Sequence, residues 1–176
     1  MPHIVFLHGL KGSPKGTKAT FLKEKFKNCL IPELPEDILI RKEIVRSLIQ
    51  QPVWLVGSSL GGLSALLFSM ENPKLVKAMI LLAPAVGIND TSEIDRSYLK
   101  EAKSTIIPTK IPTIIIAALR DNIIPLDSIK NLIQRSPDKQ KIEYIEVDDE
   151  HGLNNSLEIL HNSLKKIINN PDKVGS

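Results

Sequence analysis

The stretch VWLVGSSLGGLSALL, residues 53–67, passes from a short β-branched run, Val53–Gly57, through a cluster of glycines and serines into a segment with helical spacing of its apolar residues. A run that short, entered at Pro52 and left at Gly57, reads as a strand, and the glycines let strand and helix meet with almost no connecting loop. Strand, tight turn, helix is the repeating step of a parallel sheet covered on both faces.

The same alternation extends outward in both directions. His3–His8 (HIVFLH), Ala78–Ala83 (AMILLA), Thr113–Ala118 (TIIIAA) and Ile142–Val147 (IEYIEV) read as further strands, with a short sixth near Cys29–Ile31. Residues 17–28, 35–50, 60–71, 125–135 and 155–169 carry helical spacing, such as Leu157, Leu160, Leu164 and Ile168 on one stripe. Pro35 with Glu36 and Asp37 suits a first helical turn, Asn155 with Glu158 suits a capping box, and Ser13 or Thr17 suits the start of the first helix. The expected fold is α/β, a three-layer α/β/α sandwich with a mostly parallel central sheet. Residues 1–170 form one domain, 171–176 a flexible tail. The polar connection 87–112, with Ile88, Ile94, Tyr98, Leu99, Ile106 and Ile107 as its apolar members, reads as a short cap.

Composition narrows the function. A chain of 176 residues, 42% hydrophobic and 24% charged, is that of an ordinary single-core globular protein. A net charge of +3 with 4% aromatic residues gives no nucleic-acid footprint, so the early lysines read as a solvated helix face. The longest apolar stretches, near 78–88 and 111–119, fall far short of the ~20 residues that span a bilayer. MPHIVFLHGL lacks the charged start and long apolar core of a signal peptide. Cys29 is the only cysteine and reads as a small buried hydrophobe; a cytoplasmic location is expected. No feature of the sequence sets an oligomeric state.

FLHGLKGSPKGTK, residues 6–18, has the look of a phosphate loop but not its spacing. Gly12 and Gly16 stand three residues apart instead of four, and Thr17 precedes Lys18 where a Walker loop needs the reverse. No G-x-G-x-x-G occurs in the chain. No cofactor and no metal are expected.

Gly57, Ser59 and Gly61 form G-x-S-x-G at the strand-to-helix turn. The bare motif arises by chance in roughly one chain of this length in fifteen, so its context carries the weight. A nucleophile elbow strains the serine backbone, and flanking glycines are what let strand and helix approach closely enough. A serine nucleophile needs a base, and the base needs a carboxylate to fix its ring tautomer. Asp121 follows the strand TIIIAA and His151 follows IEYIEV, which puts both at carboxyl ends of strands and in the chain order Ser, Asp, His. His3 lies at the opposite edge, and His161 lies inside the last helix. Asp148, Asp149 and Glu150 rival Asp121, which is preferred because neighbours in a short loop rarely reach back to the ring nitrogen. The backbone N–H groups of Leu60 and Leu10 are the candidate oxyanion donors, with Gly9 turning the chain and His8 ordering the loop.

Taken together, FLHGLKGSP at 6–14, LIPELP at 30–35, LVGSSLGG at 55–62, APAV at 83–86, RDNIIP at 120–125 and EHGL at 150–153 resemble the α/β-hydrolase superfamily. Within it they are similar to short bacterial esterases that begin with a strand and an HG-x-x-x-S-P loop. The resemblance implies a compact hydrolase fold with a minimal cap and a serine hydrolase that cleaves small carboxylic esters, or thioesters, through an acyl-enzyme. It implies Ser59 as nucleophile, Asp121 as acid, His151 as base, and the amides of Leu10 and Leu60 as the oxyanion hole. The alternative is a binding protein of the same fold whose task is partner recognition.

Overall fold

The computed structural model describes residues 3–88 and 96–176. In chain order they form β1 (Ile4–Leu7), α1 (Thr17–Lys25), β2 (Cys29–Leu30), α2 (Ile38–Leu48), β3 (Val53–Ser58), α3 (Leu60–Glu71), β4 (Val76–Leu82), α4 (Arg96–Ser104), β5 (Thr113–Ala118), α5 (Leu126–Arg135), β6 (Ile142–Val147) and α6 (Leu157–Asn169). The strands make one sheet in the order β2-β1-β3-β4-β5-β6. Every neighbouring pair is parallel.

Alternation along each strand divides the core into two layers. Val5 and Leu7 of β1, with Ile115 and Ala117 of β5, face α2, α3 and α5; Ile4 and Phe6, with Ile114, Ile116 and Ala118, face α1 and α6. Because both faces are covered, these strands read as continuous apolar runs. The two layers of helices sandwich the sheet as the sequence implies.

Strand order reverses between β1 and β3: the chain runs from β1 outward to β2, then returns to place β3 on the other side of β1. In an open parallel sheet the crevice beyond the carboxyl ends at such a reversal is where ligands bind. Gly57 and Gly61 close the joint there. A Cβ on Gly57 would lie 2.4 Å from the Gly61 carbonyl oxygen, and one on Gly61 would lie 1.9 Å from that of Leu7. Both clashes are with backbone, so α3 sits this close to β1 and β3 only while these positions have no side chain.

Several local expectations are corrected. α1 ends at Lys25, because Cys29 turns into β2, and its N-cap is Gly16 with no side-chain bond. Ser13 instead accepts from the Lys15 amide. α2 begins after Asp37, whose carboxylate caps the amides of Leu39 and Ile40, so Pro35 lies outside the helix. Asn155 does not cap α6; its amide groups turn back to Asp149. Near residue 176, Pro171–Lys173 form a turn and Val174 is buried with residues of α6. Within the cap, Ile94 lies outside the described residues, while α4 is a helix that the sequence reading left unassigned. Burial pushes the Cys29 thiol up to about 12, which agrees with an inert, packed cysteine.

Gly61→Ala is expected to cost at least about 3 kcal/mol in urea unfolding, because the added methyl must push β1 and α3 apart. An unchanged denaturation midpoint would contradict the close approach.

Candidate active site

The turn between β3 and α3 holds Ser59 at φ 54° and ψ −116°, backbone angles that a residue with a side chain adopts only under constraint. The constraint is visible. The Ser59 amide donates to the Leu82 carbonyl, 2.9 Å, while its own carbonyl accepts from the amides of Gly62, Leu63 and Ala85 at 2.9, 3.2 and 2.9 Å. Neither flanking element can move without breaking this set. The side chain is thereby presented above the carboxyl edge of the sheet.

Three side chains meet at that point. His151 Nε2 stands 2.9 Å from Ser59 Oγ, and His151 Nδ1 stands 2.8 Å from Asp121 Oδ2. The other Asp121 oxygen accepts from the amides of Ile123 and Ile124, 2.9 and 2.8 Å. The Asp121 side chain is 1% exposed. Burial alone would raise its pKa, but the His151 hydrogen bond and the two amides outweigh burial and hold the carboxyl below its usual range. An ionised Asp121 accepts the Nδ1 proton, which leaves Nε2 as the lone-pair nitrogen facing the serine hydroxyl.

The loops carrying Asp121 and His151 are stitched together. The Leu119 amide donates to the Val147 carbonyl and the Arg120 amide to that of Asp149, 2.9 and 3.0 Å. Arg120 reaches Asp148 and Glu150 at the surface. Asp149, 2% exposed, accepts from the amides of Glu150 and Asn155, the Asn155 side chain and the Ser156 hydroxyl. These bonds overcome the upward pull of burial and keep its carboxyl below the ordinary range. Thus none of the three acidic residues before His151 touches the ring; Asp149 shapes its loop. Leu153 follows at φ 51°, strained and buried in the core on the α6 side. Lys18 of α1 donates to the Gly152 carbonyl, and burial lowers its pKa against the charge of Asp149.

The loop after β1 lies opposite. Gly9 packs so that a Cβ would sit 3.3 Å from Ser59 Cβ, and the Leu10 amide has no acceptor among the described residues. Leu60 is the first residue of α3, where the N–H has no intrahelical acceptor. His8 is buried and orders the loop: its Nε2 accepts from the Leu34 amide, 3.1 Å, so its Nδ1–H donates to the Gly9 carbonyl, 2.8 Å. His3 is exposed, and His161 stacks edge-on against Phe21 and Phe26. A cleft of about 580 Å³ opens over Ser59 and His151, and its lining mixes apolar residues such as Leu10, Ile38, Ile88, Tyr98 and Ile123 with Lys11, Lys18, Glu36 and Asp37. Among the described residues no cluster of metal-ligating side chains occurs. No described helix is long and apolar enough to cross a membrane.

Sequence reasoning passed over Arg41, weighed Asp149 only as a rival acid, and read Lys18 with the early lysines as solvated, whereas it is half-buried against the His151 loop. For Arg41 a signal was present: it falls on the buried stripe of α2 with Ile38 and Val45, a charged residue at a core position.

With this geometry in view, the chain was compared with known proteins. The family described as serine aminopeptidase, S33, matches residues 36–109, a stretch that contains the Ser59 turn but neither Asp121 nor His151. Mouse alpha/beta hydrolase domain-containing protein 10 superposes with a TM-score of 0.77 at 21% identity, over 96% of this chain and 90% of that one. A putative hydrolase of the alpha/beta superfamily from Xanthomonas campestris pv. campestris gives 0.73 at 20%, over 96% and 98%. A monoacylglycerol lipase from Paleococcus ferrophilus gives 0.75 at 14%, over 93% of each. No curated protein matches the chain by sequence. The parallel sheet, the Ser59 turn and these superpositions show that the chain has the α/β-hydrolase fold.

The lowered carboxyls give a test of the loop. A depressed pKa contributes stability that is fully present above the unfolded value, about 4, and is lost as pH falls through the folded one. Asp149→Asn is therefore expected to lower stability at pH 7 by about 1–3 kcal/mol, the scale of hydrogen bonds to a charged group. Urea unfolding at pH 3 should show the gap to wild type narrowing; a gap as large at pH 3 as at pH 7 would mean the charge is not what stabilises the loop.

Proposed function

We propose that the protein is a serine hydrolase that cleaves carboxylic esters, or thioesters, of small acyl groups through an acyl-enzyme. The observation that carries this reading is the unbroken chain Ser59 Oγ, His151, Asp121, at 2.9 and 2.8 Å, on the floor of a cleft. The monoacylglycerol lipase and, among further structures of this fold, Est1E from Butyrivibrio proteoclasticus with ferulic acid bound are consistent with ester chemistry. A role in partner recognition alone gives no reason for a nucleophile, a base and an acid to be aligned at bonding distance.

In this reading the ester carbonyl enters the cleft above Ser59. His151 Nε2 takes the hydroxyl proton as Oγ attacks, and the imidazolium that forms is stabilised by Asp121. The carbonyl oxygen becomes an oxyanion between the N–H groups of Leu10 and Leu60, which are directed at charge that exists only in the transition state and the tetrahedral intermediate. Collapse of that intermediate expels the alcohol or thiol, which takes the proton from His151. Water, deprotonated by the same nitrogen, then attacks the acyl carbonyl and restores the serine.

A fluorophosphonate probe should label Ser59 stoichiometrically, with no labelling of Ser59→Ala or His151→Ala. Asp121→Asn should keep the fold and lower kcat by about 10³–10⁴, because the asparagine side chain no longer enforces the tautomer. Labelling of Ser58, or full activity of Asp121→Asn, would contradict the assigned roles.

Substrate size follows from the walls. Among the described residues the cap adds only Ile88 and Tyr98 to the apolar lining, which is interrupted by Lys11, Lys18, Glu36 and Asp37. A methylene against the apolar lining gains about 0.8 kcal/mol, up to a few-fold in kcat/KM, and one lying among charges gains nothing. In a p-nitrophenyl series, acetate to butyrate should be the best substrates, with a fall by octanoate. A maximum at palmitate would show a deeper acyl site, and no turnover of any ester would favour partner recognition.

A further inference from the structure

We infer that Arg41 is a positioning residue of the oxyanion site, holding the Gly9–Leu10 peptide in the orientation that aims the Leu10 N–H at the reacting carbonyl. The inference rests on the reading of Leu10 as an oxyanion donor.

Arg41 is 0% exposed, and its cation is satisfied by main chain alone. Nη1 donates to the His8 carbonyl at 2.7 Å, Nη2 to the Gly9 carbonyl at 2.9 Å, and Nε to the Pro35 carbonyl. Burial draws its pKa down to about 10 against the charge of Glu36, so it stays cationic at neutral pH. Burying a guanidinium is costly, and an apolar side chain of similar volume would fill the same space at less cost. Packing therefore does not explain it. What the fork does explain is the geometry of the loop it reaches.

In a trans peptide the C=O and the following N–H point in opposite directions within one plane. Fixing the Gly9 carbonyl therefore fixes the Leu10 N–H. That carbonyl accepts from three donors: Arg41 Nη2, the His8 ring at 2.8 Å and the Gly12 amide at 3.2 Å. The plane is pinned through its carbonyl, and the N–H on the opposite side has no acceptor among the described residues. A cation on the carbonyl also polarises the peptide, which strengthens its N–H as a donor. Both effects act where charge develops in the transition state.

The test uses the full chain with Arg41→Met and Arg41→Lys, each checked for folding by thermal melting, on p-nitrophenyl butyrate and with a phenylboronic acid that adds to the serine and places an oxygen in the oxyanion site. Lysine keeps a cation but cannot fork across two adjacent carbonyls. Arg41→Met should lower kcat about 10- to 100-fold with KM within about three-fold, and boronic acid affinity should fall in step with kcat; Arg41→Lys should fall between it and wild type. If Arg41→Met does not fold, the Arg41→Lys measurements decide alone. A folded variant with kcat within two-fold of wild type overturns the inference, as does a loss confined to KM or a kcat loss without loss of boronic acid affinity. An inactive wild-type protein would instead defeat the hydrolase reading itself.

Discussion

The contact between α3 and the end of β1 at Gly61 is the constraint on which the rest of the structure depends. It allows the turn after β3 to be so short that Ser59 is forced to positive φ, and it brings the β1 loop and the first turn of α3 within reach of one another. Strain of this kind persists only when surrounding bonds over-determine the backbone. Here the Ser59 carbonyl alone accepts three amides, one of them from Ala85 at the far side of β4. Ala83, also at positive φ, is held by the Ile116 carbonyl. The strain is thus spread over two adjacent strand ends and supported by a third.

The other half of the site is built on a different principle. Asp121 and His151 sit on loops that leave adjacent strands, β5 and β6, and hydrogen bonds between the loops continue the strand pairing and fix their separation. Asp149 is the centre of that arrangement. A buried carboxylate that accepts four bonds from its own loop has little freedom left, and it carries the neighbouring His151 with it. Its charge is compensated by these oriented donors and by the neighbouring Lys18, which also holds the Gly152 carbonyl.

What the sequence disclosed and what it hid divide along this line. Strands and most helices were legible because their signals are local: β-branched runs between Pro and Gly, and apolar stripes of helical period. Ser59, Asp121 and His151 were legible because each follows a strand and their chain order fits one geometry. Helix starts were less so, since Asp37, Gly16 and Ser156 compete with near neighbours of equal propensity, and loop contacts decided between them. Asp149 looked like one of three interchangeable acids, because burial and hydrogen bonding distinguish it only after the loop has closed. Arg41 was hidden for the opposite reason. Its partners are the carbonyls of His8, Gly9 and Pro35, and backbone acceptors leave no mark in a sequence.

The cap completes the same network from above. Tyr98 of α4, 4% exposed, donates its hydroxyl to the Ala85 carbonyl at 2.6 Å, and the Ala85 amide is the one that binds the Ser59 carbonyl. Burial pushes the phenol's pKa up, so it stays protonated and a donor at neutral pH. At the other end of α4, Arg135 of α5 holds the carbonyls of Ala102 and Thr105. A helix held at both ends thus fixes Tyr98 in the wall of the cleft. Because that wall is bonded to the residue that restrains the Ser59 turn, a shift of α4 to admit a larger acyl group would loosen the turn that presents the serine. The position of α4 and the backbone of the Ser59 turn are therefore coupled through Ala85.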